Sequence, residues 1–146
     1  MLEVPKHARC PFCDYIEGVE RCAFVSRNSE ICSFMNRAQF ERGALLIVPN
    51  EHRETILELE PALIGSIYRE AQRVAGGMVK AFGAVGVNVF QNSGVRAGQS
   101  VAHFHVHVVP RYESSKPLRF HEVDVEHTPI DGLEKIAREL RAALSA

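Results

Sequence analysis

Residues 101–110 alternate strictly between two kinds of side chain. Because successive residues of a strand point to opposite sheet faces, the pattern predicts a strand whose apolar face is buried. The apolar face comprises Ala102, Phe104, Val106 and Val108. The opposite face, which we predict to be open, comprises Val101, His103, His105, His107 and Val109. Three imidazoles in one row suggest chemistry rather than a purely structural role.

Four further apolar runs of strand length lie at residues 22–26, 30–35, 43–49 and 86–90. Two segments, 61–82 and 131–145, repeat their apolar residues at helical spacing instead. Pro61 suits the first turn of the longer helix. The strands are joined without parallel crossovers except around this helix. That order predicts an α+β fold, in which helices pack on one face of a mainly antiparallel sheet.

Length and composition limit the function classes. The chain has 146 residues, which predicts a single domain over residues 1–146. Its net charge of −1 gives no basic surface for nucleic acid, so no nucleic-acid partner is expected. No apolar run approaches the roughly 20 residues of a membrane span, and no signal peptide is evident. We therefore expect a cytoplasmic protein without a membrane partner, whose four cysteines are thiols or metal ligands.

The row of histidines allows three interpretations. It could be a solvated polar face, a single metal site, or a set of separate groups around a substrate. His103 and His107 would lie about 13 Å apart on a strand, whereas Zn–N bonds are only about 2 Å long. One ion therefore cannot bind all three side chains. We favour the third interpretation, with one imidazole acting as nucleophile or general base.

Cys10 and Cys13 form a C-x-x-C motif near the N-terminus. The motif is typical of a redox pair or of half a zinc site, and it also occurs by chance. A redox pair would follow a strand, and no strand is predicted before Cys10. A tetrahedral zinc site would need two more ligands.

The segment HFHVHVV at residues 103–109 resembles the signature of the histidine triad (HIT) family of nucleotide hydrolases and transferases. The resemblance extends to GVNVFQNSGVRAGQSVAHFHVHVVPRY and GALLIVPNEH, and covers about residues 8–112. The pattern is most similar to the zinc-containing subset and to the branch that hydrolyses dinucleoside polyphosphates. The resemblance implies a five-stranded antiparallel sheet with two main helices on one face. It also implies a homodimer.

The resemblance implies a structural zinc ion bound by Cys10, Cys13, His52 and His103. The alternative is a pair of reduced thiols near the surface. Four protein ligands would close the site, so we expect no catalytic metal and no organic cofactor.

His105 is the nucleophile that the resemblance implies, and His107, Gln99 and Ser100 would stabilise the phosphoryl oxygens. The loop between the last two strands has glycines and neutral donors, which suit an anion, although an ordinary polar loop would look the same. Its candidate phosphate-binding residues are Gln91, Asn92, Gln99 and Ser100. Asn36 is expected at the ribose, unless it only closes a turn. Apolar residues that include Phe12, Ile16 and Phe34 would flank the base.

The expected activity is cleavage at the α-phosphate of dinucleoside polyphosphates or nucleoside phosphoramidates through a nucleotidyl-histidine. The alternatives are a phosphorylase or nucleotidyltransferase, and a zinc-stabilised nucleotide-binding protein with little turnover. Ala44 motivates the last alternative, because many family members have a supporting histidine at the corresponding position.

Overall fold

The computed structural model describes residues 2–116 and 128–144. The chain divides into two compact units, Met1–Ser115 and Lys116–Ala146. The elements of the first unit are α1 (Pro11–Ile16), β1 (Phe24–Arg27), β2 (Ile31–Met35), β3 (Leu45–Pro49), α2 (Pro61–Phe82), β4 (Gly86–Gln91) and β5 (Val106–Arg111). The second unit contains α3 (Ile130–Leu144). Within the described ranges no helix has both the length and the apolar character needed to span a membrane.

The five strands form one antiparallel sheet in the order β1-β2-β3-β5-β4, which confirms the predicted sheet. One row of paired residues crosses four strands on the face opposite α2. Phe34 pairs with Leu46, Leu46 with His107, and His107 with Phe90. The register thus places one imidazole among aromatic and aliphatic side chains at the middle of this face.

Helix α2 begins and ends at the predicted residues. Pro61 is in its first turn, and the backbone N–H of Gly83, in the left-handed conformation with φ of 67°, closes its last turn on the Val79 carbonyl. Its apolar stripe packs against the sheet and forms the main core with Phe104, Val106 and Val108. The apolar face predicted for Phe104, Val106 and Val108 is therefore buried against α2.

A polar cluster ties α2 to the first two strands. Glu70, whose side chain is 11% exposed, accepts hydrogen bonds from Ser26 and Ser33 and from the Arg73 guanidinium. The hydrogen bond from Arg73 lowers the pKa of the Glu70 carboxyl against the opposing effect of burial, and the two hydroxyls lower it further. The apolar pattern gave no sign of this cluster.

The opposite sheet face is covered by α1, a helix that the hydrophobic pattern did not predict. Cys10 is its N-cap and accepts a hydrogen bond from the Cys13 backbone N–H, and Pro11 follows at the first helical position. Phe12 and Tyr15 pack from this helix onto Cys32, Phe34, Leu46 and Val48 in a second core. A helix of six residues has too few apolar positions to show a period, which explains why it was missed.

The strand predicted for residues 101–110 is shorter in the structure and begins at Val106. The preceding residues leave the ladder, because the Phe104 N–H donates to the Arg53 carbonyl rather than to a neighbouring strand. The prediction of an open histidine face was also wrong. His103 is 0% and His105 2% exposed, because α1 covers this part of the sheet.

Candidate active site and metal centre

Four side chains from distant parts of the sequence meet in one cluster. Cys10 and Cys13 come from the start of α1, His52 follows β3, and His103 precedes β5. Each offers one ligand atom, and these atoms lie within 4.8 Å of one another. Sγ of Cys10 is 3.3 Å from Nδ1 of His103, and Sγ of Cys13 is 3.3 Å from Nδ1 of His52. Two thiols and two imidazoles are a donor set that tetrahedral zinc prefers.

The surroundings orient His103 toward a metal. Its Nε2–H donates to the Pro49 carbonyl over 2.9 Å, which leaves the lone pair of Nδ1 directed at the two sulfurs. Burial raises the pKa of the Cys13 thiol to about 12, and the hydrogen bond with Cys10 acts in the same direction. A divalent cation would reverse this effect, because it stabilises thiolates directly. The cluster therefore fits the zinc ion expected from the sequence.

The His105 imidazole is fixed in one tautomer. Its Nδ1–H donates to the backbone carbonyl of His103 over 2.7 Å. A neutral ring that carries its proton on Nδ1 has its lone pair on Nε2. Burial lowers the pKa of His105, so the neutral form is favoured near pH 7. The arrangement provides a nitrogen nucleophile at neutral pH.

His107 lies beside His105 with a ring-centroid distance of 5.0 Å and stacks on Phe90 at 4.5 Å. Burial lowers its pKa to about 4, and the neighbouring His105 acts in the same direction. Among the described residues its buried Nδ1 has no hydrogen-bond partner. Ala44, the residue that departs from the family pattern, is completely buried two residues before Leu46, which pairs with His107.

A cavity of about 270 Å³ opens beside Phe12 and Leu46, which are neighbours of His105 and His107. Phe12 lines it and also contacts His105, with a ring-centroid distance of 5.3 Å. Phe34 and Asn36, both predicted to contact a nucleotide, line it as well. Ile16 packs against the second core instead and is not part of the cavity wall. The remaining walls include three residues that the sequence motifs did not identify, Tyr15, Arg21 and Arg37.

Asn36 is involved in a turn as well as in the cavity wall. Its Oδ1 accepts a hydrogen bond from the Ala38 N–H over 3.0 Å, as in the turn-closing alternative. Within the described part of the chain its Nδ2 makes no hydrogen bond, so the amide retains donors for a ligand. Both interpretations of Asn36 are compatible with its position.

The loop between β4 and β5 is braced internally by Gln99. Gln99 is 4% exposed, its Oε1 accepts from the Gly94 N–H, and its Nε2 donates to the carbonyls of Glu54 and Val101. Both amide hydrogens are therefore used. Donation from Gln99 to a phosphate, as predicted from the sequence, would require one of these hydrogen bonds to break.

The other loop residues are more accessible. Ser100 is exposed, and its backbone carbonyl accepts a hydrogen bond from Nε2–H of His7 over 3.0 Å. Asn92 makes one long contact of 3.5 Å with the Gly98 carbonyl. Gln91 donates to the Ser93 hydroxyl over 2.8 Å and keeps a second amide hydrogen. These three side chains can therefore still offer donors at the loop.

Comparison with known proteins identifies the family. A profile of the HIT domain matches residues 17–114, which is more than half of the chain. The chain belongs to the HIT domain family. This HIT protein is 28% identical over 122 residues to HINT3 of Arabidopsis thaliana, named an adenylylsulfatase. The match covers 80% of this chain and 62% of that protein. It is also 30% identical over 102 residues to the adenosine 5′-monophosphoramidase hnt1 of Schizosaccharomyces pombe, covering 70% of this chain and 74% of that protein.

Solved structures of HIT proteins share the fold. A HIT family protein from Bacillus anthracis is 29% identical with a TM-score of 0.83, covering 94% of this chain and 99% of the other. A zinc-bound histidine triad protein from Mycobacterium smegmatis is 28% identical with a TM-score of 0.71, covering 93% of each chain. The predicted family and fold are thereby confirmed. The zinc-bound relative also agrees with a metal site in proteins of this fold.

Proposed function

We propose that this HIT protein is a nucleotide hydrolase that cleaves at the α-phosphate through a nucleotidyl intermediate on His105. The tautomer of His105 is the observation that carries the proposal. The hydrogen bond from Nδ1–H to the His103 carbonyl leaves the nucleophilic lone pair on Nε2. Phe12, which contacts the His105 ring, also lines the cavity with aromatic walls.

The reaction would proceed in two displacements. Nε2 of His105 attacks the α-phosphorus, the bond to the leaving group breaks, and the leaving group acquires a proton. Water then attacks the same phosphorus, the P–N bond to His105 breaks, and a nucleoside monophosphate is released with a proton. The Ser100 hydroxyl and the His107 imidazole would donate hydrogen bonds to the developing charge. No catalytic metal is invoked, since the zinc cluster uses its four protein ligands.

The substrate classes are nucleoside phosphoramidates and dinucleoside polyphosphates. The two relatives are named for adenosine nucleotides, and their names support a small leaving group, an amine or a sulfate, without fixing the base that this chain prefers. The position of Asn36 in the cavity wall supports a nucleoside beside His105, with the ribose at the amide. Attack by inorganic phosphate instead of water would make the protein a phosphorylase, so product analysis with and without phosphate belongs to the test.

Two properties accompany the proposal. We expect a homodimer, because β4 is an edge strand whose Val89 is 40% exposed and can pair with a second copy. We also expect a cytoplasmic location, where the thiols of the zinc cluster stay reduced.

The test compares His105→Ala with His107→Ala on adenosine phosphoramidate and diadenosine polyphosphates. His105→Ala should abolish turnover and leave the affinity for AMP within about tenfold, because it removes the attacking atom and few ground-state contacts. Mild alkaline quenching should trap a nucleotide on the unmutated protein and on His107→Ala, but none on His105→Ala. Normal turnover by His105→Ala would refute the assignment.

A second candidate is a nucleotide-binding protein with little turnover. Within the part of the chain that the structure describes, the buried Nδ1 of His107 has no partner, which favours this candidate because a missing donor or acceptor would leave the site poorly organised. Micromolar binding of AMP without cleavage of either substrate class would select this alternative.

A further inference from the structure

Arg21 and Arg37, both exposed residues, are among those that line the cavity next to Phe12. The rest of the wall is mainly aromatic and aliphatic. The Arg37 guanidinium carbon lies 5.1 Å from the centre of the Tyr15 ring, and its Nη2 donates to the Glu20 carboxylate over 3.2 Å. Within the described residues Arg21 makes no hydrogen bond or ion pair. The wall therefore has several guanidinium N–H donors available to a ligand.

These donors lie where the base of a bound nucleotide would be. If the α-phosphate lies at His105 and the ribose at Asn36, the base occupies the remaining space between Phe12, Phe34 and the two arginines. An aromatic base stacks on aromatic walls whatever its identity. The hydrogen-bonding groups at its edge are what the arginines would distinguish.

A guanidinium fork matches two adjacent acceptors. The O6 and N7 atoms of a 6-oxopurine such as guanine are such a pair, whereas adenine presents the N6 amino donor in place of O6. Adenine would thus place a donor against a donor and leave a guanidinium N–H unpaired. Nη2 of Arg37 gives one hydrogen to Glu20, and its second hydrogen can still form such a fork with Nε–H or with Nη1–H.

Two arginines could instead bind an anion, such as a second phosphate on the ribose. The Glu20 carboxylate argues against this, because it already pairs with Arg37 and would repel an additional dianion. A base whose edge carries neutral acceptors would accept hydrogen bonds from the arginines without bringing negative charge close to Glu20.

We infer that Arg21 and Arg37 make this protein selective for 6-oxopurine nucleotides, guanosine and inosine, over adenosine nucleotides. The inference rests on the proposed function for the placement of the nucleotide and adds the identity of the base.

The experiment measures dissociation constants of GMP, IMP and AMP by calorimetry, and kcat/KM for the guanosine, inosine and adenosine phosphoramidates. GMP and IMP should each bind at least about tenfold more tightly than AMP, which is the discrimination typical of one bidentate contact. IMP is the decisive ligand, since it has O6 and N7 but lacks the 2-amino group of guanine.

Arg37→Lys keeps the charge but removes the planar fork, so it should reduce the GMP/AMP affinity ratio toward 1. Arg21→Ala should reduce it as well. Arg69→Ala is the matched control, because Arg69 lies on α2, contacts Ser66 and is not part of the cavity wall. It should leave the ratio unchanged. Thermal melting confirms that each variant is folded.

Equal or tighter binding of AMP would overturn the inference, and so would an unchanged ratio in the double variant Arg21→Ala/Arg37→Lys. Tighter binding of adenosine 3′,5′-bisphosphate than of GMP would assign the arginines to an anion instead. The affinities decide the base preference even if no phosphoramidate is cleaved. Failure of the proposed hydrolysis is thus distinguishable from failure of the base assignment.

Discussion

At the scale of single residues, His103 belongs to two sites at once. Its Nδ1 faces Cys10 and Cys13 in the metal cluster, and its backbone carbonyl fixes the proton of His105 on Nδ1. A shift of His103 would therefore alter the direction of the Nε2 lone pair of His105. The bond from Nε2–H of His103 to the Pro49 carbonyl opposes such a shift. One residue thus connects the candidate metal cluster with the orientation of the proposed nucleophile.

The buried His107 should lower the stability of the folded protein in moderate acid. Burial holds its folded-state pKa at about 4, below the ordinary value of 6.5. Between these two pH values the unfolded chain binds the proton and the folded chain does not, so the free energy of unfolding falls as the pH falls. Above pH 6.5 the His107 imidazole is neutral in both the folded and the unfolded chain, so it no longer makes the stability depend on pH.

The measurement is the free energy of unfolding from urea titrations at about pH 7.5, 6.5, 5.5 and 4.5 with saturating zinc, a series that spans the two pKa values. His107→Asn should lose less stability over this range than the unmutated protein, since the other titrating groups are common to both. Identical pH dependence of the two proteins would contradict the role of His107.

At the scale of elements, the hydrophobic pattern predicted the helix and the strand face that have a clear apolar period. The stripe from Leu63 to Phe82 predicted α2 with its observed bounds, and alternation placed Phe104 and Val106 on the helix-covered face. Alternation could not show where β5 begins, because residues 101–105 keep the same apolar order although Phe104 bonds outside the ladder. The sequence also could not predict the hydrogen bonds of the Gln99 side-chain amide with three backbone groups, because partners distant in sequence leave no local pattern.

The Glu70 cluster should fasten α2 to the β1–β2 hairpin. Glu70→Gln replaces charge-assisted hydrogen bonds from Ser26, Ser33 and Arg73 by neutral ones and should lower the free energy of unfolding by about 1 kcal/mol. The folded-state pKa of Glu70 is lowered, so this contribution is present above the unfolded pKa near 4.5 and is lost as the pH falls through the folded value.

Chemical denaturation at about pH 7 and about pH 3 measures both effects. Glu60→Gln is the control, because Glu60 is exposed at the N-cap of the same helix and makes no side-chain cap hydrogen bond. It should be neutral at both pH values. A Glu70→Gln protein as stable as the unmutated one at neutral pH would show that the cluster contributes nothing.

At the scale of the whole molecule, the metal cluster joins segments that are far apart in the chain. The start of α1, a residue after β3 and a residue before β5 meet there. Closing such long loops costs conformational entropy, which a metal ion bound to the folded chain offsets. The sequence predicted these four ligands only through the family resemblance, because the 39 residues from Cys13 to His52 and the 90 from Cys13 to His103 carry no local signal.

Zinc should therefore contribute to folding of the whole first unit. The purified protein should contain one zinc ion per chain by elemental analysis, and Cys13→Ser should lose it, because a serine hydroxyl is a poor zinc ligand. Its melting temperature should fall by several degrees, and a chelator should lower that of the unmutated protein but not of the variant. Cys22→Ser is the matched control, since Cys22 lies outside the cluster and should retain the metal. A zinc-free protein with unchanged melting after Cys13→Ser would mean that the two thiols at the start of α1 bind no metal, and His103 would then orient His105 without one.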